Sequence, residues 1–113
     1  MHELSVAQNI IEIVKENAEK LQAKTVTEVE LDIGTISGVV KENLEFAMEV
    51  AVKNTILEGA IIKIHVIQAN AKCRNCSKEF EMDDIYSMCP HCQSIEYDII
   101  SGRELKVKSI KIE

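Results

Sequence analysis

The chain has 113 residues, with 13 Lys plus Arg against 19 Asp plus Glu, a formal net charge of -6 and 46% hydrophobic residues. That length suits one domain with a small appendage, and apolar runs such as Ile61-Ile62 fall far short of a membrane span. An acidic balance without a run of basic residues removes the attraction behind most nonspecific nucleic-acid binding, so neither nucleic acid nor a membrane is an expected partner.

The chain opens Met1-His2-Glu3-Leu4-Ser5, with no basic start leading into an apolar stretch, and a cytoplasmic protein is expected. From Leu4 to Leu21 the apolar positions Leu4, Ala7, Ile10, Ile11, Val14, Ala18 and Leu21 recur at three and four, which predicts an amphipathic helix. From Thr25 to Ile33 the period changes to two. Val29, Leu31 and Ile33 point one way and Glu28, Glu30 and Asp32 the other, which predicts a strand with one wet face.

Gly34 and Gly38 bracket a turn, after which Val40, Leu44, Ala47, Met48 and Ala51 mark a second helix ending near Asn54. Between Ala60 and Gln68, Ile62, Ile64 and Val66 alternate with Lys63 and His65 as a second strand. The last strand, Glu104 to Ile112, changes phase near Lys108 and Ser109, which suggests a bulge. The polar faces carry opposite signs, with Lys63, Lys106 and Lys108 set against the carboxylates of the first strand, so the three strands are expected to be sheet neighbours. Two helices on one face of a three-stranded sheet define an α+β fold.

Between the second and last strands stand Cys73-Arg74-Asn75-Cys76 and Cys89-Pro90-His91-Cys92, separated by twelve residues. Two residues between cysteines let a tight turn aim both thiolates at one ion, and two such turns supply the four sulfurs of a closed structural zinc site. Cytoplasmic thiols are kept reduced, which favours metal over disulfides. The segment holds little apolar material, and a module this small needs a staple. The expected division is therefore a zinc-ribbon-like domain at 71–97 inserted into an α+β domain of 1–70 and 98–113. Two other readings compete: a passive zinc-ribbon interaction scaffold, and a thiol-disulfide oxidoreductase using Cys89-Pro90-His91-Cys92. His91 sits inside a knuckle, where its imidazole could exchange with a cysteine ligand.

The first residues offer a second kind of chemistry. The terminal amine of Met1, the amide nitrogen of His2 and its imidazole can close adjacent chelate rings on one ion, and the amide of Glu3 can add another nitrogen. Such a set is nearly planar, which suits Ni(II) or Cu(II) and suits tetrahedral Zn(II) poorly. The Glu3 carboxylate would ligate or support the other ligands. The bulk of His2 favours retention of the initiator Met1.

The Met1-His2-Glu3-Leu4-Ser5 start, the two cysteine pairs and the closing Ser101-Gly102-Arg103-Glu104-Leu105 together resemble the HypA (HybF) family, nickel metallochaperones that mature [NiFe] hydrogenase and, in some bacteria, urease. The resemblance spans essentially the whole chain. It implies that the protein is not an enzyme, that His2 is the essential nickel ligand with backbone nitrogens of the first residues and Glu3 completing the site, and that Cys73, Cys76, Cys89 and Cys92 hold zinc. It further implies a HypB-type GTPase and the hydrogenase large subunit as partners, with urease maturation proteins where urease is served. A short domain flanking a movable ribbon could also exchange segments between chains, giving a homodimer.

Overall fold

In chain order the elements are α1 (Glu3–Lys20), β1 (Val26–Gly34), α2 (Lys41–Ala51), β2 (Ile61–Ile67), β3 (Asn70–Cys73), β4 (Glu79–Glu81), β5 (Tyr97–Ser101) and β6 (Leu105–Ile112). They come from a computed structural model in which residues 3–113 are described. The apolar stripe of α1 buries Val6, Ala7, Ile10, Ile11, Val14 and Ala18. That of α2 buries Leu44, Ala47 and Met48, and both stripes lie against Val29, Leu31 and Ile33 of β1. Helix α2 ends three residues before Asn54. That asparagine takes the left-handed conformation, at φ 63°, which terminates the turn after the helix.

The first sheet has the order β2-β1-β6, with β1 parallel to β2 and antiparallel to β6. The expected bulge is present: Glu30 pairs with Ser109 and Leu31 with Val107, so Lys108 is the extra residue. The face away from the helices is less wet than the alternation suggests. Glu28 and Asp32 are only 7% and 9% exposed, because β1 is the central strand and the long side chains of both neighbours lie across it. The ion pairs also differ from expectation in part. Lys63 reaches Glu28 at 2.7 Å from one side and Lys111, not Lys106 or Lys108, reaches it at 2.9 Å from the other. Glu30 accepts a hydrogen bond from the Ser109 hydroxyl at 2.7 Å and faces His65 Nε2 at 3.4 Å.

The hydrogen bonds from Lys63 and then Lys111 hold the Glu28 carboxyl below its ordinary range. A carboxylate whose pKa is depressed by folding stabilises the protein fully above its unfolded pKa, and that contribution is lost as pH falls through the folded pKa. Glu28→Gln should therefore be less stable than the unmodified chain near neutral pH, and the gap should close as the pH drops through and below the usual glutamate range. Paired urea titrations across pH, read on the helices, measure that difference; a gap independent of pH would show that packing, not charge, is what the substitution removes.

Between β2 and β6 the chain builds a second antiparallel sheet in the order β4-β3-β5. Its outer strands reach from Asn70 at one end to Ser101 at the other. Strands of three to five residues are too short to show a period, and the sequence reading passed over them. This lobe has its own core of Ala69, Ala71, Cys73, Phe80, Met82 and Cys89. The molecule is consequently elongated, 54 × 25 × 17 Å with a radius of gyration of 17.2 Å, against about 13 Å for one compact domain of this length.

Three chain segments meet where the lobes join. Thr35 N donates to Ile67 O at 2.9 Å, Ile36 N to Gly102 O at 2.9 Å, and Gly34 N to Glu104 O at 2.7 Å. Ala69 N donates to the Thr35 hydroxyl at 3.0 Å, and Ile36 packs onto the core of the second lobe. Gly34 and Gly102 approach backbone to backbone, and Gly102, at φ +110°, also lies against Ala69.

Candidate metal centre

The four cysteines enter from two knuckles of the same construction. Cys73 N donates to Lys78 O at 2.9 Å and Ser77 N to Cys73 O at 3.0 Å; in the second knuckle Cys89 N donates to Ser94 O at 3.0 Å and Gln93 N to Cys89 O at 2.7 Å. Each turn closes on a residue in the left-handed region, Ser77 at φ 63° and Gln93 at φ 64°. Nothing in the sequence flags those two positions, since neither is Gly or Asn.

The knuckles bring all four Sγ atoms within 4.8 Å of one another. The close approaches run between the knuckles: Cys73 Sγ to Cys92 Sγ is 3.5 Å and Cys76 Sγ to Cys89 Sγ is 3.6 Å. A tetrahedral zinc with Zn–S bonds of about 2.3 Å places its sulfurs about 3.8 Å apart, so the separations fit such an ion. A disulfide needs about 2.05 Å, and all four cysteines are free.

Hydrogen bonds to sulfur grade the thiols. The Asn75 side-chain amide, at 3.5 Å, and the Ser94 backbone N–H bring Cys92 down to about 6. At Cys76 the Lys78 backbone amide acts to lower the pKa, but burial and the three neighbouring thiols outweigh it and push the group up to about 11. A thiol must lose its proton to take a cation, and the groups around Cys92 favour its thiolate near neutral pH. Asn75 is a contact to the cluster that composition and spacing do not single out; only its place inside a knuckle could have signalled it.

Packing behind the cluster uses the lobe's aromatics. Phe80 and Tyr97 meet edge to face with centroids 5.3 Å apart, and Tyr97 O–H donates to Ser87 O at 2.9 Å, tying down the loop that leads into Cys89. Arg74 clasps one Asp98 oxygen through Nε at 3.0 Å and a terminal nitrogen at 2.6 Å, fixing the first knuckle to β5. His91 is exposed and is not part of the cluster. The Cys89–Cys92 turn is followed by β5 and not by a helix, so the helix-start activation that an oxidoreductase thiol uses is missing there.

Met1 and His2, expected as nickel ligands, lie outside the described residues. Glu3, the third, opens α1, and its carboxylate accepts a hydrogen bond from Val40 N at 3.3 Å, just before α2. Glu3 therefore belongs to the helical lobe, while the thiols occupy the other. Val40 has no side-chain cap of its own, so this contact serves the first turn of α2 with a negative charge.

A helix-on-sheet lobe carrying an inserted lobe with four converging thiols defines a protein that could hold a metal ion in its second lobe. Residues 1–112 match the family described as hydrogenase/urease nickel incorporation, metallochaperone, hypA. The hydrogenase maturation factor HypA of Parabacteroides distasonis is 46% identical over 113 residues, covering 100% of this chain and 98% of that protein. The corresponding factor of Trichodesmium erythraeum is 42% identical, covering 100% and 96%. The solution structure of the Ni metallochaperone HypA from Helicobacter pylori superposes with a TM-score of 0.71 at 29% identity, covering 99% of this chain and 97% of that one. The chain belongs to the HypA family, whose members are metallochaperones and not enzymes.

Proposed function

We propose that this protein carries Ni(II) to the maturation of [NiFe] hydrogenase, taking nickel at its amino terminus and holding a separate, structural Zn(II) through Cys73, Cys76, Cys89 and Cys92. The observation that carries the reading is family membership along the whole chain together with a four-thiol cluster compact enough to share one ion. In this reading nickel belongs to the lobe of residues 1–70 and 98–113 and zinc to that of 71–97.

The nickel donors are the Met1 amine, the His2 amide and imidazole, and nitrogen or carboxylate from Glu3. A planar nitrogen set selects Ni(II) by geometry, while four soft thiolates select Zn(II), so one short chain keeps the two ions apart by ligand type. Amine and imidazole must be unprotonated to bind, so nickel affinity falls with pH, which gives a carrier a route to release. The Glu3 carboxylate, held near Val40 N, ties the start of α1 to the start of α2, so nickel at Glu3 would be felt at the helix pair. The receivers are a HypB-type GTPase and the hydrogenase large subunit in the cytoplasm, with urease maturation proteins where urease is present. Among the described residues no helix is long and apolar enough to cross a membrane.

Nickel titration by calorimetry tests the assignment. The intact chain should bind one Ni(II) with the absorption of planar coordination. Both His2→Ala and a variant with residues added before Met1 should lose that binding while keeping one zinc and an unchanged fold. Undiminished nickel affinity in the extended variant would place the site elsewhere.

A further inference from the structure

The sheet of the helical lobe is open on one side. Strand β2 has β1 on one edge and, among the described residues, no strand on the other. Its sequence, Ile61-Ile62-Lys63-Ile64-His65-Val66-Ile67, is mostly β-branched and contains no proline. Edge strands are ordinarily protected by outward charges, a proline or a covering element. Lys63 is the one lysine here, and its ammonium is drawn inward to Glu28. Ile61 and Val66 stand 60% and 50% exposed. On the helix side, β2 and α2 flank a groove of about 410 Å³ with apolar walls from Met48, Val52, Ile62 and Ile64 and with Lys41, Glu45 and Glu49 also lining it.

We infer that β2 accepts an extended segment of a partner polypeptide as a fourth strand of this sheet, and that the segment alternates apolar and acidic residues. The backbone groups of a free edge bond any strand; the side-chain faces select among them. In an added strand alternate residues turn toward the helices, where the groove takes apolar side chains. The intervening residues turn to the open face, beside Lys63 and His65. The sheet already uses this pairing: β1 alternates Val29, Leu31 and Ile33 with Glu28, Glu30 and Asp32, and Lys63 and His65 of β2 reach diagonally to Glu28 and Glu30 on the shared face. A segment of the same alternation on the free edge repeats that match. A second copy of this chain does not, because its own β2 would bring Lys63 and His65 against Lys63 and His65 with no carboxylate between them. The inference concerns a different face from the amino terminus and does not depend on where nickel binds.

Two synthetic peptides as long as β2, one alternating Val and Glu and the other Val and Lys, test it when titrated into the full-length protein and followed by amide exchange. The Val/Glu peptide should bind about fivefold more tightly than the Val/Lys peptide, from the cross-strand pair at Lys63 turned from repulsive to attractive. It should also protect alternate amides of Ile61–Ile67, and N-methylation of its alternate backbone nitrogens should abolish binding in one register and not in the other. Equal affinities, protection confined to the helices or the cysteine lobe, or indifference to N-methylation in both registers would overturn the inference. So would a concentration-dependent dimer joined through β2.

Discussion

Cys89→Ala should leave the protein without stoichiometric zinc and should unfold the Asn70–Ser101 lobe while α1, α2 and the first sheet persist. The argument is one of magnitudes. The lobe's buried core is Ala69, Ala71, Cys73, Phe80, Met82 and Cys89, so two of its six members are thiols of the cluster and two are alanines. A module of this size cannot offset its conformational entropy by burial alone. Zinc binding in small finger peptides contributes about 10–16 kcal/mol at neutral pH, far more than Phe80 and Met82 supply at about 1.5–3 kcal/mol each. The first core contains fifteen buried residues and shares none of them with the second, so it keeps its driving force. Nuclear magnetic resonance distinguishes the lobes directly. Amides of β3, β4 and β5 should collapse toward unfolded shifts while those of β1 stay dispersed, and a strong chelator added to the unmodified chain should reproduce the pattern. A fully dispersed spectrum without metal would show that the thiols do not hold the lobe together. Acid should act in the same direction, because each thiolate must be protonated to let the ion go.

The helices and the first sheet were legible because each element is long enough to show its period: α1 runs 18 residues and β1 runs nine. The phase change at Lys108 and Ser109 exposed the bulge for the same reason. Four cysteines at fixed spacing announced the cluster, since spacing is what a tetrahedral site requires. Contacts between distant segments were harder to read. The burial of Glu28 depends on Lys63 and Lys111, which lie 35 and 83 residues further along the chain, and no window contains all three. Asn75 and Tyr97 act on the cluster through geometry that has no sequence signature. The same holds for the meeting of Gly34 with Gly102. In the sequence Gly34 reads only as a turn residue, and Gly102 only as part of the Ser101-Gly102-Arg103-Glu104-Leu105 segment.

That meeting carries the other large expected effect. A methyl group built on Gly34 would overlap the Gly102 carbonyl, and one built on Gly102 would overlap the backbone and side chain of Ala69. The obstructing atoms are backbone, or a methyl fixed to it, and none can swing aside as the end of a long side chain could. Gly102 also lies at φ +110°, where an L-residue is strained whatever the space. Overpacking costs about 1–3 kcal/mol and the backbone penalty adds about 1–2, so Gly102→Ala should destabilise by about 2–5 kcal/mol. Gly38→Ala is the control: Gly38 is also at positive φ, +86°, but nothing lies within 4 Å of its added Cβ. It should therefore lose only the backbone penalty, about 1–2 kcal/mol. Urea unfolding of the three proteins separates the terms, and similar losses for Gly38→Ala and Gly102→Ala would mean that the junction yields. Where it does not yield, the damage reaches function through position. The Gly34, Ile36 and Gly102 hydrogen bonds are what lock the cysteine lobe to the end of β1, so Gly34→Ala should speed amide exchange at Ile36 and loosen one lobe against the other while leaving the four-thiol cluster assembled.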